Sequence, residues 1–140
     1  MLLTPAISAS GVTRAFEAEP GQVRLIRAFV AEYARGYPFL DDLLLAVTEL
    51  AANAIEHSAP AADGTISVTV TVGAGTTLVA VTDGGNPRST PHVRPPREDA
   101  EGGRGLYLVA TVAERWGFTR DPGASTTWCE FGAAASLQRP

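Results

Sequence analysis

Two polar residues with complementary chemistry, Glu49 and Asn53, are four positions apart in residues 39–58. A carboxylate can serve as a general base, and an amide oxygen is a neutral, hard ligand that suits a Mg²⁺ ion shared with phosphates. In a helix, this spacing places both side chains over the same ligand, one turn apart. A solvated helix face is the alternative, since most exposed polar residues on helices contribute only to solubility.

A third polar residue, Asp83, ends an apolar segment and is followed by Gly84 and Gly85. A buried carboxylate at this point could accept a hydrogen bond from the exocyclic amine of a nucleobase, and the glycines would let the backbone approach a planar ring. Asp-Gly is also a common turn signal, so an ordinary turn is the alternative.

A glycine-rich stretch, residues 102–106, opens a predicted helix directly after a long loop, residues 84–103, that contains four prolines. Free N–H groups and the helix dipole favour anions at such a start, although this signal is weak when taken alone. The basic side chains that could face a polyphosphate, or simply be solvated, are Arg88, His92, Arg94, Arg97 and Arg104. The two histidines of the chain show no zinc-binding pattern, so a zinc site is not expected.

Hydrophobic periodicity predicts the elements that would position these residues. The predicted helices are residues 22–35, 39–58 and 105–116. The predicted strands are residues 12–17, 65–72, 77–82, 117–120 and 125–131, of which the second and third form a hairpin. In the second helix, Glu49, Asn53 and Glu56 lie roughly opposite the centre of the apolar stripe.

Composition limits both the architecture and the function. With 140 residues, of which 45% are hydrophobic, residues 1–140 are expected to form one domain with a core over about 12–132 and short loose ends. The apolar runs are too short to span a membrane, and no signal peptide is visible, so a cytoplasmic protein is expected. The net charge of −4 argues against direct nucleic-acid binding.

Two residue types exclude further classes of chemistry. The sequence contains no lysine, which rules out a P-loop lysine and a Schiff base. The single cysteine, Cys129, rules out an internal disulfide, and its apolar surroundings favour a buried core thiol over a nucleophile.

The order and spacing of these motifs resemble the ATP-binding domain of the GHKL superfamily, the Bergerat fold of histidine kinases, gyrase B and MutL. Residues 48–58 are similar to its N box, residues 81–87 to its first glycine box and residues 102–109 to its second. The chain is most similar to the stand-alone anti-sigma-factor serine/threonine kinases, over residues 16–131. Departures are Asn86-Pro87, where a further glycine is typical, and Tyr107 in the second box.

The resemblance implies a fold and a role for each matching residue. The fold is a two-layer α/β (α+β) sandwich, with a mixed, mainly antiparallel sheet covered by helices on one face. Glu49 would be the general base, Asn53 would coordinate Mg²⁺, and Asp83 would accept a hydrogen bond from the adenine amine. The other implied nucleotide-binding residues are Gly85 at the adenine and Gly103, Arg104, Gly105 and Leu106 at the phosphates, with residues 84–102 as a lid.

The function implied by the resemblance is that of an ATP- and Mg²⁺-dependent protein kinase. Its substrate would be a serine or threonine of an anti-anti-sigma (STAS-type) partner, and the same surface could sequester a sigma factor. Related kinases also imply a possible homodimer. Two alternatives stay open: a non-catalytic partner-switching module in which ATP is structural or absent, and an ATP hydrolase.

Overall fold

The computed structural model describes residues 11–57, 64–73, 75–84 and 104–132 of the chain. Its strands are β1 (Gly11–Glu17), β2 (Thr65–Gly73), β3 (Thr76–Asp83), β4 (Arg115–Asp121) and β5 (Ala124–Gly132). Its helices are α1 (Val23–Tyr33), which follows a short 3-10 turn, α2 (Leu40–His57) and α3 (Arg104–Val112). The predicted loose ends and most of the predicted lid lie outside the described residues.

The five strands form one sheet in the order β1-β2-β3-β5-β4, and all four pairings are antiparallel. The predicted β2–β3 hairpin is confirmed, with Gly73 paired to Thr76. A second hairpin joins β4 and β5, where Asp121 pairs with Ala124 and Gly123 adopts a φ of 74°. A positive φ is readily accessible only to glycine, which explains the residue type at this tight turn.

The hydrophobic core lies between one face of the sheet and the three helices. Because side chains alternate along a strand, each strand contributes every second residue to this face. The core residues of the sheet are Phe16, Ile66, Val68, Val70, Val79, Val81, Cys129 and Phe131. The helices bury Ile26 and Val30 of α1, Leu43, Val47 and Leu50 of α2, and Leu106 and Val109 of α3 against it. The expected α+β sandwich with helices on one face is therefore confirmed, although the described strands pair only in antiparallel fashion where a mixed, mainly antiparallel sheet was expected.

The third helix is shorter than the sequence pattern predicts. It ends at Val112, whereas the apolar spacing predicts a helix as far as Trp116. Trp116 instead lies in β4, where it pairs with Cys129, and the backbone N–H of Glu114 already donates to the carbonyl of Glu130 at 3.0 Å. The prediction was wrong here because pairing with β5 outweighs a helical spacing of apolar residues.

None of the helices in the described part of the chain is both long and apolar enough to cross a membrane.

Candidate functional site

Glu49 and Asn53 lie one turn apart on α2, the longest described helix. Asp41 and Asp42 in its first turn favour the start of this helix, because acidic side chains interact well with the positive end of the helix dipole. Glu49 and Asn53 are both partly buried, whereas Glu56 is exposed. The face that carries Glu49 and Asn53 is therefore not simply a solvated surface.

Ala46, one turn before Glu49 on α2, is fully buried, so this side of the helix is covered by other parts of the molecule. On a helical wheel, Ala46 lies between Asn53 and the apolar stripe of α2. The helix α3 packs against α2, and α2 in turn packs on β3 and β5. The Glu49–Asn53 pair therefore borders a packed region of the molecule.

The electrostatic environment of Glu49 is unusual for a carboxylate. Partial burial raises the pKa of Glu49 above its ordinary value of 4.5, and the negative charge of Glu56 raises it further. Both effects disfavour the ionised form, the first by desolvation and the second by repulsion between like charges. A raised pKa makes a carboxylate a stronger proton acceptor, as a general base requires.

Asp83 is the last residue of β3, and its side chain is only 5% exposed. Alternation along the strand places it on the same face as Val79 and Val81, beneath the helices. A carboxylate at this depth requires polar neighbours, because burying a charge without compensation is costly. The buried position distinguishes Asp83 from the acid of an ordinary exposed turn.

Two hydroxyl residues on β5, Ser125 and Thr127, lie next to Asp83 on this face. Ser125 pairs directly with Asp83, Thr127 pairs with Val81, and both are buried. They add hydroxyl groups to the surroundings of the carboxylate. Reasoning from individual residues did not assign them to the site, because Ser125, Thr126 and Thr127 are consecutive polar residues and the sequence does not show which of them face the helices.

The glycine boxes are only partly described. Gly85 and Gly103 lie outside the described residues, as does the predicted lid from residue 85 onward. Arg104 and Gly105 begin α3, which places the predicted second glycine box at a helix start. The side chain of Leu106 packs in the hydrophobic core, so its backbone N–H is the group left to contact a phosphate.

Two cavities among the described residues lie away from these side chains. One of about 410 Å³ lies between β1 and α1 and is lined by residues such as Arg14 and Glu32. The other, of about 290 Å³, lies beside the β2–β3 turn and includes Tyr33 and Val72. Neither is lined by the predicted site residues, which adjoin a part of the chain outside the described residues.

The residues present suit a nucleotide and a metal ion by their chemistry. A buried acceptor beside hydroxyl groups fits an amino-bearing base, and the half-buried amide of Asn53 next to a carboxylate fits a hard cation. Among the described residues, no group of three His, Cys, Asp or Glu side chains could hold a metal ion by itself. A cation here would therefore depend on oxygen ligands from elsewhere, such as phosphates and water.

Comparison with known proteins identifies similar sequences and folds. Residues 16–130 match the model of the histidine kinase-like ATPase domain family. The fold is similar to that in the crystal structure of the RsbU and RsbW domains of Rv1364c from Mycobacterium tuberculosis, with a TM-score of 0.66 and 19% sequence identity. That match covers 89% of this chain and 32% of the other. A search of curated protein sequences found no match.

Proposed function

Since the chain belongs to the histidine kinase-like ATPase domain family, we propose that it is a protein kinase that binds ATP with Mg²⁺ and phosphorylates a serine or threonine. The observation that carries this proposal is Glu49, a partly buried carboxylate of raised pKa, one turn before Asn53. The acceptor we propose is an anti-anti-sigma protein of the STAS type. A sigma factor would be a second partner of the same surface.

The adenine would bind at Asp83. Its buried carboxylate would accept a hydrogen bond from the exocyclic amine, which distinguishes adenine from a base that carries an oxygen at that position. A hydrogen bond to a buried, charged acceptor is stronger than one to an exposed acceptor. Ser125 and Thr127 could donate to, or accept from, the remaining polar atoms of the base.

The phosphates would bind between α2 and the start of α3. The amide oxygen of Asn53 would hold Mg²⁺, which when bound neutralises charge on the phosphate oxygens. Backbone N–H groups at the start of α3, from Arg104 to Leu106, would bind phosphate oxygens with the support of the helix dipole. Phosphoryl transfer depends mainly on such positioning and charge neutralisation.

Glu49 would act on the acceptor hydroxyl. As the hydroxyl oxygen forms its bond to the γ-phosphorus, the bond from phosphorus to the bridging oxygen breaks, ADP leaves, and the hydroxyl proton passes to Glu49. A carboxylate of raised pKa holds that proton more readily than an exposed glutamate does. The role assigned to Glu49 is thus proton acceptance, separate from nucleotide binding.

The experiment that tests the proposal combines titration calorimetry and a transfer assay. ATP is titrated into the wild type, Asn53→Ala and Asp41→Asn with and without Mg²⁺, where Asp41 is an exposed acid on the same helix and serves as the control. We expect magnesium-dependent binding that Asn53→Ala removes and Asp41→Asn retains. Labelled ATP is then mixed with a STAS-type protein, and label on that protein is measured.

We expect Glu49→Gln to abolish label transfer while ATP affinity stays within a few-fold of the wild type. Label transfer at the wild-type rate would contradict the role of Glu49. Release of free phosphate without any protein acceptor would favour an ATP hydrolase. No heat of binding, together with an unchanged melting temperature at millimolar ATP, would favour a non-catalytic module.

A further inference from the structure

Helices α1 and α2 are joined by one arginine side chain. The Nη1 group of Arg27 on α1 donates to the side-chain Oγ1 of Thr48 at 2.7 Å and to the carbonyl oxygen of Leu44 at 3.2 Å. Both acceptors are on α2, and Thr48 is the residue immediately before Glu49. A single guanidinium nitrogen therefore holds the helical turn that leads into the proposed catalytic residue.

The two groups that accept hydrogen bonds from Arg27 are also hydrogen-bonded to each other. The Thr48 hydroxyl itself donates to the Leu44 carbonyl at 2.7 Å, so that carbonyl receives hydrogen bonds from two side chains. A threonine that bonds back to the carbonyl four residues earlier commonly bends a helix slightly. The path of α2 just before Glu49 is thus set by side-chain contacts as well as by the helical ladder.

We propose that Arg27 is a positioning residue for Glu49. By holding Thr48 and Leu44, it fixes the rotation and path of α2, so that the carboxylate of Glu49 is directed at the acceptor hydroxyl. Arg27 would not touch ATP or the acceptor. This inference rests on the proposed function, since it assigns Arg27 to the same phosphoryl transfer.

Because Arg27 is exposed, its positioning role can be distinguished from a contribution to the free energy of unfolding. Contacts of exposed charged side chains contribute little to the free energy of unfolding. The reaction rate is far more sensitive to the placement of groups at the reacting centre, because a shift of about 1 Å can lower it by up to about a hundredfold. Removal of the contact should therefore affect turnover much more than folding.

The test compares Arg27→Gln, Arg27→Lys and Arg35→Gln. Arg35 is exposed just beyond α1 and is the matched control for the loss of one positive charge. We expect Arg27→Gln to lower kcat by about tenfold with the KM for ATP within about twofold, as expected when orientation rather than binding is lost. Arg27→Lys should recover most of this loss, because it keeps a positively charged nitrogen donor on a flexible side chain.

A second readout does not depend on phosphoryl transfer. The titration midpoint of the Glu49 carboxyl is followed by carbon NMR in the same variants. Since burial is the main cause of the raised pKa of Glu49, displacement of the turn in Arg27→Gln should lower this midpoint towards the ordinary value. Arg27→Lys and Arg35→Gln should leave it unchanged.

The two readouts separate this inference from the proposed function. If the wild type transfers no phosphate, the proposed function fails, and the Glu49 midpoint alone decides whether Arg27 positions that carboxylate. The inference is overturned if Arg27→Gln leaves both kcat and the midpoint at wild-type values. It is equally overturned if the fall in kcat matches the fall in the folded fraction measured by circular dichroism, so that kcat per folded molecule is unchanged.

Discussion

The sheet contains two buried carboxylates whose surroundings differ. Glu130 on β5 is 4% exposed and lies on the face away from the helices, since its neighbours Cys129 and Phe131 face the core. Its Oε1 is 3.4 Å from Nη1 of Arg115, its direct partner on β4. Asp83 is 5% exposed, lies on the opposite face and has a buried serine, Ser125, as its partner across the strands.

The guanidinium of Arg115 also lies 5.7 Å from the ring centroid of Trp128, which itself is buried against Gly117. Glu130 is thus part of a charged and aromatic cluster that joins β4 to β5. Asp83 is located where β3 ends and the predicted adenine site begins. Burial alone therefore does not separate the two carboxylates. The ion pair with Arg115 within the sheet indicates a structural role for Glu130, whereas the position of Asp83 at a strand end, beside buried hydroxyl groups, is consistent with the binding role that we propose for it.

The largest expected effect comes from exchanging each carboxylate for its amide. Asp83→Asn should weaken ATP binding by about 10- to 100-fold, the usual loss for a hydrogen bond to a charged acceptor. Glu130→Gln should leave ATP affinity unchanged, because Glu130 lies on the other face of the sheet. Titration calorimetry of both variants measures the difference. Equal affinities in the two variants would remove Asp83 from the adenine site.

The second effect is on stability and concerns Glu130. Arg115→Met should lower the free energy of unfolding by about 1–2 kcal/mol, because it leaves a buried carboxylate without its cation; partial exposure of Arg115 keeps the loss below that of a fully buried pair. The double variant Arg115→Met with Glu130→Gln should recover much of the loss. Urea unfolding measures both. Additive losses in the double variant would contradict the structural role of the pair.

The smallest effect is a pH dependence of stability that arises from Glu49, which lies on α2 and is compared with the two carboxylates of the sheet. Its pKa is raised in the folded state, so the native chain holds this proton to a higher pH than the unfolded chain does. Stability therefore falls as the pH rises from about 4.5 through the folded pKa. Glu49→Gln should be more stable than the wild type at neutral pH, by less than about 1 kcal/mol because water screens a partly buried charge.

Urea unfolding of the wild type and Glu49→Gln at several pH values tests this expectation. The two proteins should converge at acidic pH, where Glu49 is protonated in both states. A Glu49→Gln protein less stable than the wild type at neutral pH would show that the carboxylate stabilises the fold instead.

Local patterns were sufficient to predict much of this molecule. The hydrophobic spacing of α2 and the alternation in β2 and β3 predict the ends of these elements nearly to the residue. Each of them forms by burying one face, and that face is visible in the sequence. The end of α3 could not be predicted, since the pairing of Trp116 with Cys129 depends on a strand that comes later in the chain. The contact from Arg27 to Thr48 was missed for the same reason, as it joins residues 21 positions apart.

The candidate site shows the same limit. The sequence identified Glu49, Asn53 and Asp83 through their motifs, yet it did not reveal that Glu49 is partly buried or that Ser125 pairs with Asp83. Burial and pairing are properties of the folded arrangement, and no local spacing encodes them.

The strand order has a kinetic consequence. The hairpins β2–β3 and β4–β5 are local and can form early, whereas the β3–β5 pairing joins residues such as Asp83 and Ser125 that are 42 positions apart. Closing the long connection between β3 and β5 costs entropy, so the pairing of these two strands, which is the seam between the hairpins, should be among the last contacts to form. Asp83 and Ser125 come from opposite sides of the seam, and a ligand that contacts both would bind only after the two hairpins have joined. Such a ligand would slow the reopening of the seam and, with it, amide hydrogen exchange along β3 and β5.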